Sequence, residues 1–84
     1  MSRLPRSTNW FILNAEAIAI IDGTAAAVLG EIADELAGRN LRFGIANLHG
    51  QPRELLARSG LLAAIGAEMV FPRVEDAARA FDRT

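Results

Sequence analysis

The sequence contains no cysteine, no lysine and no tyrosine, and His49 is its only histidine. Without cysteine, disulfides, thiolate catalysis and the common zinc sites are excluded. His49 has no acidic or nucleophilic neighbour in the sequence to form an acid–base pair. The glycines match neither the phosphate-binding loop nor the dinucleotide-binding motif. We therefore expect no catalytic residues, no metal and no cofactor, and hence no enzyme.

Long apolar runs and a strong charge of one sign are also missing. A membrane span needs about 18 or more apolar residues in succession, and no such run occurs, so we expect no direct membrane insertion. The net charge is −1, which gives no reason to expect binding to nucleic acid. No signal peptide is found, and a cytoplasmic location is expected. With 84 residues, 51% of them hydrophobic, the chain is expected to form one small globular domain.

Charge is nevertheless unevenly distributed along the chain. Five acids and no base lie between Glu16 and Glu35, whereas four arginines face one acid between Arg39 and Arg58. A solvated acidic helix followed by a solvated basic segment explains this pattern. A polarised surface that docks on a partner is the alternative interpretation.

Strand-like and helix-like segments alternate along the chain. Residues 1–9 are interpreted as a leader, and residues 14–21 as a connecting segment that places apolar side chains in the core. Asp22 or Thr24 is expected to cap the first helix, and Gly38 to end it in a left-handed conformation. The predicted strands cover residues 10–13, 41–46 and 69–71; the predicted helical segments cover 24–37, 52–60, 61–65 and 74–81.

This order predicts an α/β domain with a small, mostly parallel β-sheet and alternating helices. Strands 10–13 and 41–46 are expected to pair in parallel, with helix 24–37 as the crossover. In such sheets ligands gather at the carboxyl ends of strands, where helix amides point outward. The segment Asp22-Gly23-Thr24 stands at such a place. It either contacts an anion or a phosphoryl group, or simply caps the helix.

Several segments together resemble the STAS domain, the module shared by SulP-type sulfate transporters and bacterial anti-sigma factor antagonists. The resemblance covers about residues 10–81, and the LLARSGL stretch with Ile65-Gly66 after it is closer to the transporter branch. The segments that carry it are IDGTAA at 21–26, LRFGIA at 41–46, PRELLARSGL at 52–61, VFP at 70–72 and VEDAA at 74–78.

Two departures from the family pattern are visible. STAS domains open with further strands and a helix before the strand matched by residues 10–13, so residues 10–84 are expected to be a single STAS-like domain that is incomplete at its N-terminus. Antagonists carry a phosphorylated serine or threonine directly after the aspartate, and that position is Gly23 here. Glycine has no hydroxyl, so phosphorylation at this position is not expected.

The resemblance implies a non-catalytic regulatory and docking module of a SulP-like transporter for sulfate or another inorganic anion, at the inner face of the cell membrane. Asp22, Gly23 and Thr24 would form its regulatory loop, with Asn14 and Asn47 nearby at neighbouring strand ends. Its partner would be the transmembrane domain of a transporter or a regulatory protein. The alternative is a stand-alone anti-sigma factor antagonist that binds an anti-sigma kinase. If the opening strands are missing, the exposed sheet edge predicts a homo-oligomer.

Overall fold

The computed structural model describes residues 9–83, which form three strands and four α-helices. The predicted alternation of strands and helices is confirmed. The elements are β1 (Asn9–Asn14), α1 (Gly23–Gly38), β2 (Leu41–Ala46), α2 (Gly50–Arg58), α3 (Leu61–Ile65), a 3-10 turn (Ala67–Met69), β3 (Val70–Phe71) and α4 (Val74–Asp82).

The three strands form one parallel sheet in the order β1-β2-β3. The β1–β2 register runs from Asn9 opposite Leu41 to Asn14 opposite Ala46, and α1 is the crossover between them. The predicted parallel pairing is therefore confirmed. Because β2 is central and all strands run the same way, the carboxyl ends of the three strands meet at one edge of the sheet.

Alternate residues of each strand point to opposite faces, and each face has its own core. Phe43 and Ile45 of β2 point towards α1, α2 and α3 and pack with Ala26, Leu56 and Leu61. On the other face, Ala46 and Phe71 pack with Met69 and with Ala77 of α4. Trp10 of β1 belongs to this second face, where its ring contacts Phe71 and Phe81. The sheet is thus covered by helices on both sides.

The segment between β1 and α1 behaves as predicted. Ala15 and Ile21 are buried in the first core and Ile18 packs against it. Ile20, by contrast, is 79% exposed. The segment is irregular, with a turn at residues 16–17, because its apolar side chains anchor it to the core without a repeating hydrogen-bond pattern.

The structure corrects the predicted end of α1. Gly38 lies within the helix, and the residue in the left-handed conformation is Asn40, with φ of 63°. The amide of Arg39 still bonds to the carbonyls of Glu35 and Leu36, which carries the turn past the glycine. Asparagine tolerates the left-handed region better than most residues, so it can end the turn in place of glycine.

Other boundaries move by one or two residues. Met69, predicted in the third strand, lies in the 3-10 turn because its amide bonds to the carbonyl of Gly66, and Asn14, predicted in the connecting segment, is the last residue of β1. Helix α2 begins at Gly50, two residues before the predicted segment 52–60, and Gly50 has a positive φ of 60°.

Asn9, which the predicted leader included, is the first residue of β1; residues 1–8 of that leader lie outside the described residues. None of the helices within residues 9–83 is long and apolar enough to cross a membrane.

At the amino-terminal side of β2, an ion pair connects the sheet to the 3-10 turn. A guanidinium nitrogen of Arg42 lies 3.0 Å from a carboxylate oxygen of Glu68. The pKa of the Glu68 carboxyl is lowered, first by a hydrogen bond from its own backbone N–H and second by the hydrogen bond from Arg42. Both side chains are largely exposed, so the pair orients this end of the sheet more than it stabilises it.

Candidate functional site

Asn14 and Asn47 stand at the carboxyl ends of β1 and β2 and are joined there. The Oδ1 atom of Asn14 accepts hydrogen bonds from the Nδ2 atom of Asn47 at 3.0 Å and from the amide of Glu16 at 3.1 Å. The amide of Asn47 in turn donates to the carbonyl of Phe71 in β3 at 3.2 Å. These bonds connect all three strand ends, which is the proximity that the parallel sheet predicts.

Asn47 adopts the left-handed conformation, with φ of 60°. This conformation turns the chain sharply away from β2. The Asn47 amide remains hydrogen-bonded to Phe71 of β3, and the Asn47 side chain to Asn14 of β1. A β-branched residue would be strained at this φ, whereas asparagine adopts it readily. The residue type is therefore explained both by the backbone and by the bond to Asn14.

Asp22 caps α1. Its Oδ1 atom accepts a hydrogen bond from the amide of Ala25 at 2.8 Å, and its carbonyl accepts one from Ala26 at 3.0 Å. Of the two predicted caps, the structure therefore uses Asp22. Gly23 and Thr24 are the first two residues of the helix and are exposed, and a Cβ atom built on Gly23 would meet nothing within 4 Å. The Thr24 hydroxyl thus remains on an accessible first turn.

Gln51 holds the chain immediately before this cap, which the sequence did not predict. Its Oε1 atom accepts from the amide of Ile21 at 2.9 Å, and its Nε2 atom donates to the carbonyl of Ile21 at 2.8 Å. A glutamine amide carries both an acceptor and a donor, so one side chain satisfies both backbone groups of Ile21. Gln51 is therefore a positioning residue for the Asp22-Gly23-Thr24 segment.

The predicted site residues fall into two groups. Within the described part of the chain, hydrogen bonds join Asn14 to Asn47 at the strand ends and Asp22 to α1, without linking the two groups directly. Asn47 follows β2 and Gln51 lies in the first turn of α2, so the chain from Asn47 to Gln51 contacts both groups. No sequence pattern indicates this role for Gln51, because its partner Ile21 is 30 residues away.

An open cleft of about 670 Å³ lies beside the carboxyl ends of β2 and β3. It was not predicted. The side chains of His49 and Arg53 line it, with Phe71 and Pro72 at its apolar side. Both basic residues are exposed, and His49 makes no side-chain cap on α2. Among residues 9–83, no three histidine, aspartate or glutamate side chains are grouped so that they could hold a metal ion.

The cap contact gives a first prediction. Asp22→Ala removes the acceptor for the Ala25 amide, and we expect the free energy of unfolding to fall by about 1 kcal/mol. Asp34→Ala, which removes an equal charge from the exposed part of the same helix, is the matched control and should not lower it. Urea unfolding followed by circular dichroism measures both. Equal effects of the two substitutions would show that charge, and not the cap, is responsible.

Comparison with known protein families shows which family this domain belongs to. The model of the STAS domain family matches residues 5–77. The chain therefore belongs to the STAS domain family, as the resemblance predicted.

The similar curated proteins are sulfate transporters. A probable sulfate transporter of Mycobacterium tuberculosis is 35% identical over 79 residues, which is 94% of this chain and 14% of the transporter. The chloroplastic sulfate transporter 4.1 of Arabidopsis thaliana is 33% identical over 69 residues, which is 82% of this chain and 10% of the transporter. The chain thus spans about a seventh or less of the length of these relatives.

Proposed function

We propose that this chain is the regulatory and docking STAS module of a SulP-like transporter for sulfate or a related inorganic anion. The observation that carries the proposal is that sulfate transporters match 94% of the chain. In this role the module lies in the cytoplasm against the transmembrane domain. It is non-catalytic, and Asp22, Gly23 and Thr24 form its regulatory loop beside the strand ends of Asn14 and Asn47.

One face of α1 supports docking. Val28, Glu31, Ile32 and Glu35 follow helical spacing and share this face, which we call the docking face. Val28 is 48% exposed and Ile32 is 38% exposed. The face therefore presents apolar side chains between carboxylates, and it begins six residues after the Asp22 cap.

The charge of the docking face indicates the chemistry of its partner. Helix α1 contains three acids and no base. On the docking face Glu35 is paired with Arg39 at 3.0 Å, so Glu31 is the carboxylate there that attracts a basic surface. Cytoplasmic loops of membrane proteins carry an excess of lysine and arginine. A basic loop with apolar residues, extending from the transmembrane domain, would complement both the carboxylates and the exposed Val28 and Ile32.

A stand-alone anti-sigma factor antagonist is not favoured. The similar curated proteins are transporters, and the residue after Asp22 is Gly23, which lacks an oxygen that could accept phosphate. That this position is not phosphorylated stays a prediction.

A domain exchange tests the proposal. The matching segment of the Mycobacterium tuberculosis relative would be deleted or replaced by this chain, and uptake of labelled sulfate measured in cells that lack sulfate transport. We expect the deletion to reduce uptake and the replacement to restore it. Uptake that stays at the level of the deletion would contradict the transporter function.

The docking face is tested in the same exchanged transporter. Glu31→Lys reverses a charge on that face, and we expect it to lower uptake several-fold because it repels a basic loop. Glu75→Lys, at an exposed position of α4 on the other side of the sheet, is the matched control and should leave uptake unchanged. Equal uptake in the two variants would contradict the docking face while leaving the transporter function standing.

A further inference from the structure

The cleft beside the carboxyl ends of β2 and β3 has a basic rim without an acidic counterpart. Arg53 and His49 line it, and no aspartate or glutamate is among the lining residues that the structure describes. In open α/β sheets, ligands bind in crevices outside the carboxyl ends of the strands. The position of the cleft and the charge of its rim therefore both indicate a binding site for a negatively charged group.

The arginines of the basic segment differ in their partners. Arg39 and Arg42 each lie 3.0 Å from a carboxylate oxygen. Arg53 and Arg58 of α2 form no ion pair within residues 9–83. Of these two, Arg53 lines the cleft and Arg58 does not. The guanidinium of Arg53 is thus available to a carboxylate from another molecule.

The start of α2 adds to the positive potential of this rim. The helix begins at Gly50, which also lines the cleft, and His49 at its N-cap position provides no side-chain acceptor for the first amides. The side chain of Gln51 is occupied by Ile21. The positive end of a helix dipole favours an anionic group, so it acts in the same direction as Arg53.

The floor of the cleft is apolar. Leu62 and Val70 are partly buried there, Phe71 is buried and Pro72 is exposed. Such a floor can cover an apolar side chain next to the carboxylate. The cleft is open on one side, whereas small-molecule pockets enclose most of their ligand. An open cleft suits a segment of polypeptide that continues beyond it.

We propose that this cleft binds an acidic segment of a partner protein. An apolar side chain of the segment packs on the floor, and a neighbouring carboxylate bonds to the guanidinium of Arg53, which can hold both carboxylate oxygens at once. The proposal does not rest on the transporter function. Its partner segment is opposite in charge to the basic loop proposed for the docking face of α1, so the two surfaces do not compete for one partner.

The amino-terminal residues of this chain do not have the chemistry of that segment. Residues 1–8 contain two arginines and no acid, so they carry the same sign of charge as the rim. They precede Asn9, which pairs with Leu41 at the amino-terminal end of the sheet, whereas the cleft lies at the carboxyl end. Charge complementarity therefore favours another protein as the source of the acidic segment.

Nuclear magnetic resonance of the full chain labelled with ¹⁵N tests the site. The probe is a short synthetic peptide in which a leucine stands between glutamates, and the control peptide has glutamines in place of the glutamates. We expect the acidic peptide to shift the amide signals of Gly50, Arg53 and Ala63 with saturation, and the control peptide to leave them in place. Added salt should weaken the binding, because it screens exposed charges.

A matched pair of arginine substitutions identifies the contact. Arg53→Gln removes the charge at the cleft, and we expect the dissociation constant of the acidic peptide to rise by about tenfold, because a charged hydrogen bond is lost. Arg58→Gln makes the same change on the same helix, outside the cleft, and should leave the dissociation constant unchanged.

A second pair does not depend on removing a side chain. Ala63→Glu adds a carboxylate at an exposed position of α3 that lines the cleft, and it should repel the acidic peptide. Ala64→Glu, at the next residue, which is also exposed but does not line this cleft, is the control and should not weaken the binding.

Three results would overturn the proposal. The first is the absence of shifts at a peptide concentration of about 1 mM. The second is an equal effect of the two substitutions within either pair. The third is displacement of the peptide by an equal concentration of inorganic phosphate, which would indicate a simple anion site. None of these results would bear on sulfate uptake by the exchanged transporter, so the two proposals can fail separately.

Discussion

Gly44→Ala should lower the free energy of unfolding by about 2–3 kcal/mol, although it adds a single methyl group. Gly44 lies in the middle of the central strand β2 and is buried. A Cβ atom there would lie 2.8 Å from the carbonyl oxygen of Met69 and 2.8 Å from the Cδ1 atom of Ile12. The Ile12 side chain can shift, but the Met69 carbonyl is backbone held between the 3-10 turn and β3. The added methyl group therefore has to displace the chain itself.

The expected loss is a large share of the total free energy of unfolding. A chain of this size has a stability of about 4–13 kcal/mol, so Gly44→Ala removes a substantial fraction of it. Circular dichroism during urea unfolding gives the value, and the slope of the transition shows whether the cooperative unit is unchanged.

Gly30→Ala is the matched control, because it makes the same chemical change in the opposite environment. Gly30 lies inside α1, and a Cβ atom there would meet nothing within 4 Å. Alanine is the better helix former, so we expect stabilisation by about 0.5–1 kcal/mol. Effects of the same sign for Gly30 and Gly44 would contradict the packing explanation.

The arrangement of strands could be predicted from the sequence because it depends on local patterns. The apolar run 10–13 and the segment 41–46 flank a capped amphipathic helix, and a strand–helix–strand order produces a parallel pair. The proximity of Asn14 and Asn47 follows from that pairing, since the carboxyl ends of parallel neighbours share an edge. Their proximity therefore required no information beyond the order of elements, whereas the hydrogen bond between them was not predicted.

The end of α1 could not be predicted in the same way. Gly38 has the residue type that commonly ends a helix, but Asn40 can adopt the same conformation two residues later. The choice depends on which carbonyls the last amides reach, here those of Glu35 and Leu36 for Arg39. Residue preferences give a small energy difference between the two endings, and hydrogen bonding at the end of the helix decides between them.

Gln51 escaped prediction for a different reason. A polar residue in the first turn of a helix normally indicates solvent exposure, and Gln51 is exposed. Its role depends on the irregular segment before Asp22, whose path the apolar residues Ile18 and Ile21 set by packing into the core. Contacts between a helix and an irregular segment leave no periodic signal, so only the folded chain reveals them.

Removing this contact should loosen the candidate site. Gln51→Ala leaves the amide and carbonyl of Ile21 without their side-chain partners, and we expect the free energy of unfolding to fall by about 1–2 kcal/mol. Because Ile21 directly precedes the Asp22 cap, hydrogen exchange of the amides in the first turn of α1 should become faster as well. Unchanged stability and unchanged exchange would contradict a positioning role for Gln51.

Gln51→Glu gives the same contact a pH dependence that Gln51→Ala lacks. An ionised carboxylate still accepts from the Ile21 amide, but it faces the Ile21 carbonyl without a proton to donate. The protonated acid supplies both an acceptor and a donor, so folding favours it and raises the pKa of the introduced carboxyl above its ordinary value of about 4.3. A raised folded-state pKa means that stability is lost as pH rises through that pKa and regained as pH falls below it.

Compared with the unsubstituted chain at each pH, Gln51→Glu should therefore be destabilised at neutral pH and recover in mild acid, whereas Gln51→Ala should show a deficit that does not change with pH. Urea unfolding across this pH range measures both differences, and parallel pH profiles for the two variants would contradict the paired hydrogen bonds to Ile21.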